Sequence, residues 1–323
     1  MLKRTAVPFC ALLLMLGVFL LPHGEIKPRM KVALSVWPGS EAVVLARDAS
    51  LLPEGRTRVI ELPWASAVTR TFDDEVVDVA VLTLDVVLQL RESGQHLRVL
   101  QVLDESTGGD AVIAQEPIKD LHDLKGKRVG VDLFGSGMYL LINALEHAGM
   151  KLDDIQTVPL IQPEIESMFD EGNIDAAVAA EPWLTQVSSL HTHRLYDSKE
   201  LKTPIFRLLV ASEHACQEYQ KELPTLLAAM TKMNRLVRSG TQFEGMAVIL
   251  RRERVSFEDF VRSLDHWRPL DAKENAALLE GSQPALNMHA QRMGEQMVRN
   301  GLLGGLPADT EWLDPRFLKH AWE

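Results

Sequence analysis

Cysteine is nearly absent: Cys10 and Cys216 are the only two in 323 residues. Cys10 falls in an amino-terminal segment that reads as removable, and without it no structural disulfide or thiolate metal site can be built within the mature chain. Basic residues are also scarce. The chain has 34 Lys and Arg against 45 Asp and Glu, for a net charge of −11, and loss of the leader, whose charged residues are Lys3 and Arg4, makes the balance more acidic still. Such a surface argues against nucleic acid and against anionic membrane faces as partners. The leader's apolar run, Val7 to Leu21, is short for a membrane span and suited to a signal peptide. The following Leu21-Pro22-His23-Gly24 lacks a small-x-small cleavage pattern, so residues 1–24 read as a signal peptide or as a retained amino-terminal anchor. Cys10 follows the bulky Phe9 near the start of that run, which does not suit lipid attachment.

Catalytic patterns are missing as well. Neither Ser35 nor Ser136 sits in Gly-x-Ser-x-Gly, and Cys216 lies in the polar stretch Glu213-His-Ala-Cys-Gln. His191-Thr-His193 has no carboxylate or cysteine neighbour and reads as a solvated loop instead of a metal site. The expectation is therefore a non-enzymatic chain without cofactor or metal.

What is present is a strand, turn and helix between Lys125 and Gly149. Val129 and Val131 share a strand face, and from Met138 the apolar residues take helical spacing. Between them, Gly135-Ser136-Gly137 would turn the unpaired amides of the helix start toward an acceptor, unless Ser136 simply caps the helix. Leu140 stands where a dinucleotide fingerprint needs its third glycine, so a nucleotide site is excluded.

The length favours two lobes. Apolar strands (Lys31 to Val36, Arg58 to Leu62, Val77 to Val81, Leu97 to Leu103, Ala111 to Ala114, Gln156 to Leu160) alternate with helical stretches, and this predicts parallel strands with helices on both faces. Phe72 to Val81 aligns without a gap on Phe169 to Val178, either as shared turn chemistry or as the mark of two similar lobes. After the strand Ile205 to Ala211, and from Glu218 onward, nearly everything reads as helix. The second lobe would then be inserted in the first, with the chain crossing out near Ala111 to Gln115 and back near Ile205 to Ala211. This gives residues 28–112 plus 206–323 for lobe 1 and 113–205 for lobe 2.

In open sheets, ligands sit beyond the carboxyl ends of the strands. Gathering those ends gives the candidate ligand-binding residues: Trp37, Pro38, Gly39, Thr83, Asp85, Ser106, Gly109, Asp110, Gly135, Ser136, Gly137, Glu181 and Trp183. Aromatic plates, glycines, hydroxyls and carboxylates, with no Lys or Arg in the same loops, suit a small polar solute. They favour a neutral, zwitterionic or amine-bearing one over a bare anion.

The succession Val36-Trp-Pro-Gly39, Val77-Asp-Val-Ala-Val-Leu-Thr-Leu-Asp85, Ser106-Thr-Gly-Gly-Asp110, Asp123-Leu-Lys-Gly-Lys127 and Ile174-Asp-Ala-Ala-Val-Ala-Ala-Glu-Pro-Trp183 resembles the solute-binding proteins of nitrate/sulfonate/taurine-type ABC importers, which include the thiamine-pyrimidine-synthase-like group. The resemblance implies an α/β, two-lobed periplasmic binding protein of type II, with two crossover strands and a helical carboxyl-terminal tail. It implies a small-molecule solute and an ABC permease of the inner membrane as partners, and a periplasmic location, free or anchored by an uncleaved leader. The alternatives are a membrane-tethered sensory or accessory binding protein, or a pyrimidine-synthase-like enzyme. That chemistry goes with a cysteine cluster and a histidine donor in the cleft, and the sequence shows neither. Where family members carry glycine in the turn before the buried aspartate of the first lobe, this chain has Glu75.

Overall fold

The structure is a computed structural model and describes residues 28–53, 55–308 and 311–322; the leader lies outside these residues. The chain opens β1 (Met30–Ser35), α1 (Glu41–Asp48), β2 (Thr57–Leu62), α2 (Ala65–Asp73), β3 (Val79–Thr83), α3 (Leu84–Glu92) and β4 (Leu97–Ser106). It then runs through β5 (Asp110–Ala114), β6 (Arg128–Val131), α4 (Gly137–His147), β7 (Gln156–Pro159), α5 (Ile165–Asp170), β8 (Ala176–Ala180), α6 (Trp183–Gln186) and β9 (His193–Asp197). It returns as β10 (Phe206–Ser212), α7 (Glu213–Glu218), α8 (Glu222–Arg238), α9 (Met246–Glu253), α10 (Phe257–Ser263), β11 (Trp267–Pro269), α11 (Ala272–Leu279) and α12 (Ala285–Arg299).

Two sheets result, ordered β11-β4-β10-β3-β1-β2 and β7-β6-β8-β5-β9. Neither is all-parallel, contrary to the sequence expectation. β10 is antiparallel to both β3 and β4, and β5 to both β8 and β9. Each crossing strand starts in the cleft between the lobes and runs away from it, opposite to neighbours that end there. The outward passage occupies Thr107 to Gly109, earlier in the chain than the alternation suggested. Two short strands were not legible: β9, beginning in what read as a polar histidine loop, and β11, a three-residue edge strand within the helical tail.

The central strands β1, β3, β5, β8 and β10 are buried because they are apolar on both faces. On one side of the first sheet, Val43, Val44, Leu223, Leu226, Leu227 and Met230 of α1 and α8 cover Val32, Leu34 and Leu209; on the other, Leu88, Leu286, Met293 and Met297 of α3 and α12 join Ala33, Ala80 and Leu208.

The short internal echo marks a structural repeat. β1-α1-β2-α2-β3 and β6-α4-β7-α5-β8 share strand order, with the first strand of each unit between the other two and parallel to them. In one copy, Asp78 accepts a hydrogen bond from the Lys31 amide (2.7 Å) while Lys31 Nζ reaches the Val76 carbonyl. In the other, Asp175 accepts from the Arg128 amide (2.8 Å) while the Arg128 guanidinium reaches the Gly172 carbonyl. The equivalent turn positions, Glu75 and Gly172, both have positive φ (56° and 65°).

Candidate functional site

The repeat brings corresponding loops face to face. Ser35 ends β1 and is followed by Val36, Trp37 and Ser40, and opposite them, after β6, come Asp132, Gly135, Ser136 and Gly137; Thr83 ends β3 as Ala180 ends β8, with Glu181 next. With Asp110, Arg207, Gln162, Trp183 and α2 residues Ala65 and Thr69, they enclose a cavity of about 70 Å³ between the lobes. At roughly 10–15 Å³ for each water-sized centre, that holds roughly five such groups, the size of a small solute.

Arg207 dominates the floor, and sequence reasoning missed it. It sits near the start of β10, buried, with its guanidinium carbon 3.1 Å from the centre of the Trp37 ring and Nη2 at 3.2 Å and 3.3 Å from the two Asp110 oxygens. Asp104 stands at 3.8 Å and accepts from the Trp37 indole at 3.3 Å. Burial pushes the Asp104 carboxyl up to about 7, with Arg207 and then the indole acting the other way. Arg207 Nη1 donates no hydrogen bond. The signal was an arginine inside the apolar run Ile205-Phe-Arg-Leu-Leu-Val-Ala211, where a buried charge demands partners.

Ser136 does not cap α4. Its hydroxyl turns to Asp110 at 3.2 Å, and no side chain caps the helix, so the first amides of α4 remain open toward the cavity. Asp132, also missed, follows β6. Its Oδ1 accepts from the Phe134 amide at 3.1 Å and its Oδ2 has no hydrogen-bond partner. Burial raises its carboxyl, opposed first by the Phe134 amide and then by the Ser66 hydroxyl and amide across the cleft. Gln162 donates to the Val178 carbonyl and accepts from the Ala180 amide, fixing the end of β8. Ser40 Oγ is buried and unpaired.

Of the candidates read from sequence, Trp37, Thr83, Asp110, Gly135, Ser136, Gly137, Glu181 and Trp183 stand in the cavity wall; Pro38, Gly39, Asp85, Ser106 and Gly109 do not. Pro38 and Gly39 form a buried 3-10 turn, and a Cβ on Gly39 would clash with Asp104 Oδ2. Asp85 is buried in the first turn of α3, its carboxyl pushed up to about 6 by burial. The Ser106 hydroxyl pairs with that of Ser198 at 2.8 Å. Gly109 lets the Trp37 ring and the His266 carbonyl approach where a Cβ would clash, at 2.6 Å and 2.7 Å. These five pack behind or beside the wall residues instead of lining the cavity.

Two seams close the cavity. On one side, the Thr69 hydroxyl donates to the Phe134 carbonyl at 3.3 Å and Arg70 lies over the Phe134 ring at 4.8 Å. On the other, Glu181 Oε1 meets His266 Nδ1 at 2.6 Å, and Gln186 donates to the Glu253 carbonyl at 2.6 Å. Buried carboxyls crowd that second seam. Glu41, paired with Arg252, is pushed up to about 7 by burial, and Glu253 rises well above the usual range through burial and the charges of Glu41 and Glu181.

A family model described as NMT1/THI5-like matches residues 59–235, more than half of the chain. A protein of Brucella abortus named as a binding protein is 43% identical over 84 residues, which is 26% of this chain and 25% of that protein. One of Escherichia coli K12 named for binding aliphatic sulfonates is 28% identical over 151 residues, 45% of this chain and 47% of that protein. The match thus spans a quarter to a half of the length of these relatives. Among solved structures, the alkanesulfonate-binding protein of Xanthomonas axonopodis pv. citri, bound to MOPS, superposes with a TM-score of 0.71 at 19% identity over 89% of this chain and 99% of that one. A desulfurization enzyme shares the fold with a TM-score of 0.62 at 16% identity, covering 91% of this chain and 99% of that one.

Proposed function

Because the chain belongs to the NMT1/THI5-like family, we propose that it is the solute-binding component of an ABC importer, holding a small polar organic solute between its lobes in the periplasm and passing it to an inner-membrane permease. The observation that carries this reading is the interlobe cavity, whose wall holds Ser40, Asp132 and Arg207 with polar atoms left unpaired. Buried polar groups without partners are costly, and a solute bearing the complementary groups relieves that cost. The lobes must separate to admit it. The seam contacts are few hydrogen bonds worth roughly 1 kcal/mol each, within what a small solute supplies by binding the closed form better.

The wall's acidic residues Asp110, Asp132 and Glu181 outnumber Arg207, which Asp110 and Asp104 already engage. A neutral, zwitterionic or amine-bearing solute therefore suits it better than a bare anion. Arg207 supplies a cation that the loops alone lacked, so the zwitterion uses the site most fully. Its acidic group lies at Arg207 Nη1 and the open amides of α4, and its amine at Asp132. Calorimetric titration with taurine and with ethanesulfonate tests this: the amine-bearing member should bind at least tenfold tighter, and equal or tighter binding of ethanesulfonate overturns the charge argument. Small-angle scattering should show compaction with the solute that binds; an unchanged radius at saturation counts against closure.

The enzymatic alternative lacks support in the cleft. Cys216, on α7, lies outside the cavity wall, and burial pushes its thiol up to about 12. Anchoring is a second reading, carried by the missing cleavage pattern at Leu21-Pro22-His23-Gly24; fractionation that finds the full-length chain in membranes supports it.

A further inference from the structure

A second cavity, of about 730 Å³, opens on the first lobe between β4, α8 and the segment from Pro269 to Lys273, and shares no wall residue with the interlobe cavity. Its volume is in the range of small-molecule sites. Three features of its wall point to a ligand.

First, two buried amides line the wall from different elements, and each has an end without a partner. Gln101 of β4 is 3% exposed and Asn234 of α8 is 8% exposed; Gln101 Nε2 makes a long contact to the Thr231 hydroxyl (3.4 Å), while Gln101 Oε1 and Asn234 Oδ1 accept nothing. Leaving such atoms unpaired costs free energy that an incoming polar edge recovers. A side-chain amide offers a donor and an acceptor in one plane and so matches another planar amide or ureide edge. Second, Trp322 closes the wall, and its indole Nε1 also has no partner. Third, Arg235 and Lys273 stand exposed in the wall without an ion-pair partner among the described residues. The other charged wall residues are engaged: Arg238 donates to the Leu264 and Trp267 carbonyls, and Asp271 caps α11 through the Glu274 amide.

We propose that this cavity is a second ligand site, taking a small planar anion that carries an amide- or ureide-type edge. Gln101 and Asn234 read the edge, the Trp322 ring and indole N–H cover the planar body, and Arg235 and Lys273 hold the carboxylate or phosphate. The site is independent of the solute cleft.

The test uses 4-ureidobenzoate, with benzoate (anion without the edge) and phenylurea (edge without the anion) as matched probes. Binding is read by calorimetry and by the indole N–H resonance of Trp322, assigned from Trp322→Phe. The expected result is that 4-ureidobenzoate binds at least tenfold tighter than either partial probe and moves that resonance. The surface double variant Arg235→Ala/Lys273→Ala should weaken it at least fivefold with the fold unchanged by circular dichroism. Asn234→Leu should reduce it to the level of benzoate, and the cleft variant Trp183→Ala should leave it unchanged. Three results each overturn the proposal: no shift of the Trp322 resonance at millimolar probe, equal binding of the three probes, or loss of binding in Trp183→Ala with retention in Arg235→Ala/Lys273→Ala.

Discussion

Glu75 holds a left-handed backbone (φ 56°) at a turn whose counterpart in the second lobe is Gly172. A residue with a Cβ is strained there by about 1–2 kcal/mol, part of which glycine gives back through unfolded-chain entropy. Glu75→Gly is therefore expected to stabilise the protein by about 0.5–1 kcal/mol, read as a rise of about 2 °C in melting temperature; a fall would show that the Glu75 side chain contributes more than the strain removes. Arg207 presents the opposite case. Removing it leaves Asp104 and Asp110 buried against each other, so Arg207→Met should cost about 3 kcal/mol or more in urea denaturation and also abolish solute binding. Glu75 was legible as a departure from a turn glycine, because αL preference is a local property. Arg207 was visible only as an oddity. Its partners come from β4 and β5, and no local pattern says which strands will flank a returning one.

At the scale of elements, two aspartates fix how strands meet. Asp78 receives the Lys31 amide of β1 and Asp175 the Arg128 amide of β6, and each precedes the last strand of its repeat. Asp78→Ala or Asp175→Ala leaves a strand-end amide without its acceptor and is expected to cost about 1–3 kcal/mol, with fast hydrogen exchange at Lys31 or Arg128 as the local readout. Hydrogen bonding to Arg128 holds the Asp175 carboxyl below its usual range, so its contribution is present above the unfolded value and disappears as pH falls through the lowered folded one. These elements could be read in sequence because helix end, turn, aspartate and apolar strand occur twice in the same order. β9 and β11 could not, since they owe their existence to edges already built by β5 and β4. The same limit separated the cleft loops: which of their side chains line the cavity depends on packing between loops, as where the Trp37 ring fills the space beside Gly109.

For the whole molecule, buried acids set the pH response. Glu41 and Asp104 are pushed up to about 7 and Asp85 to about 6, all by burial, whereas unfolded carboxyls ionise near 4. Between those values the folded chain binds more protons than the unfolded one, so stability falls as pH rises from about 4 to about 7. Scanning calorimetry should give a higher melting temperature at pH 5 than at pH 8, and the reverse order would show these groups to be ionised at little cost. The crossing strands carry a different consequence, for the order of assembly. β5 finds its neighbours β8 and β9 in the chain that follows directly, so the inserted sheet is complete once Asp197 has been made. The enclosing sheet is not. β3 and β4 have no common neighbour until Phe206–Ser212 arrives to lie between them. On a ribosome the inner lobe can therefore close first while the outer one waits with the facing edges of β3 and β4 unpaired, the state most open to wrong pairing. The seven residues that carry Arg207 to the cleft floor are also those that end that exposure.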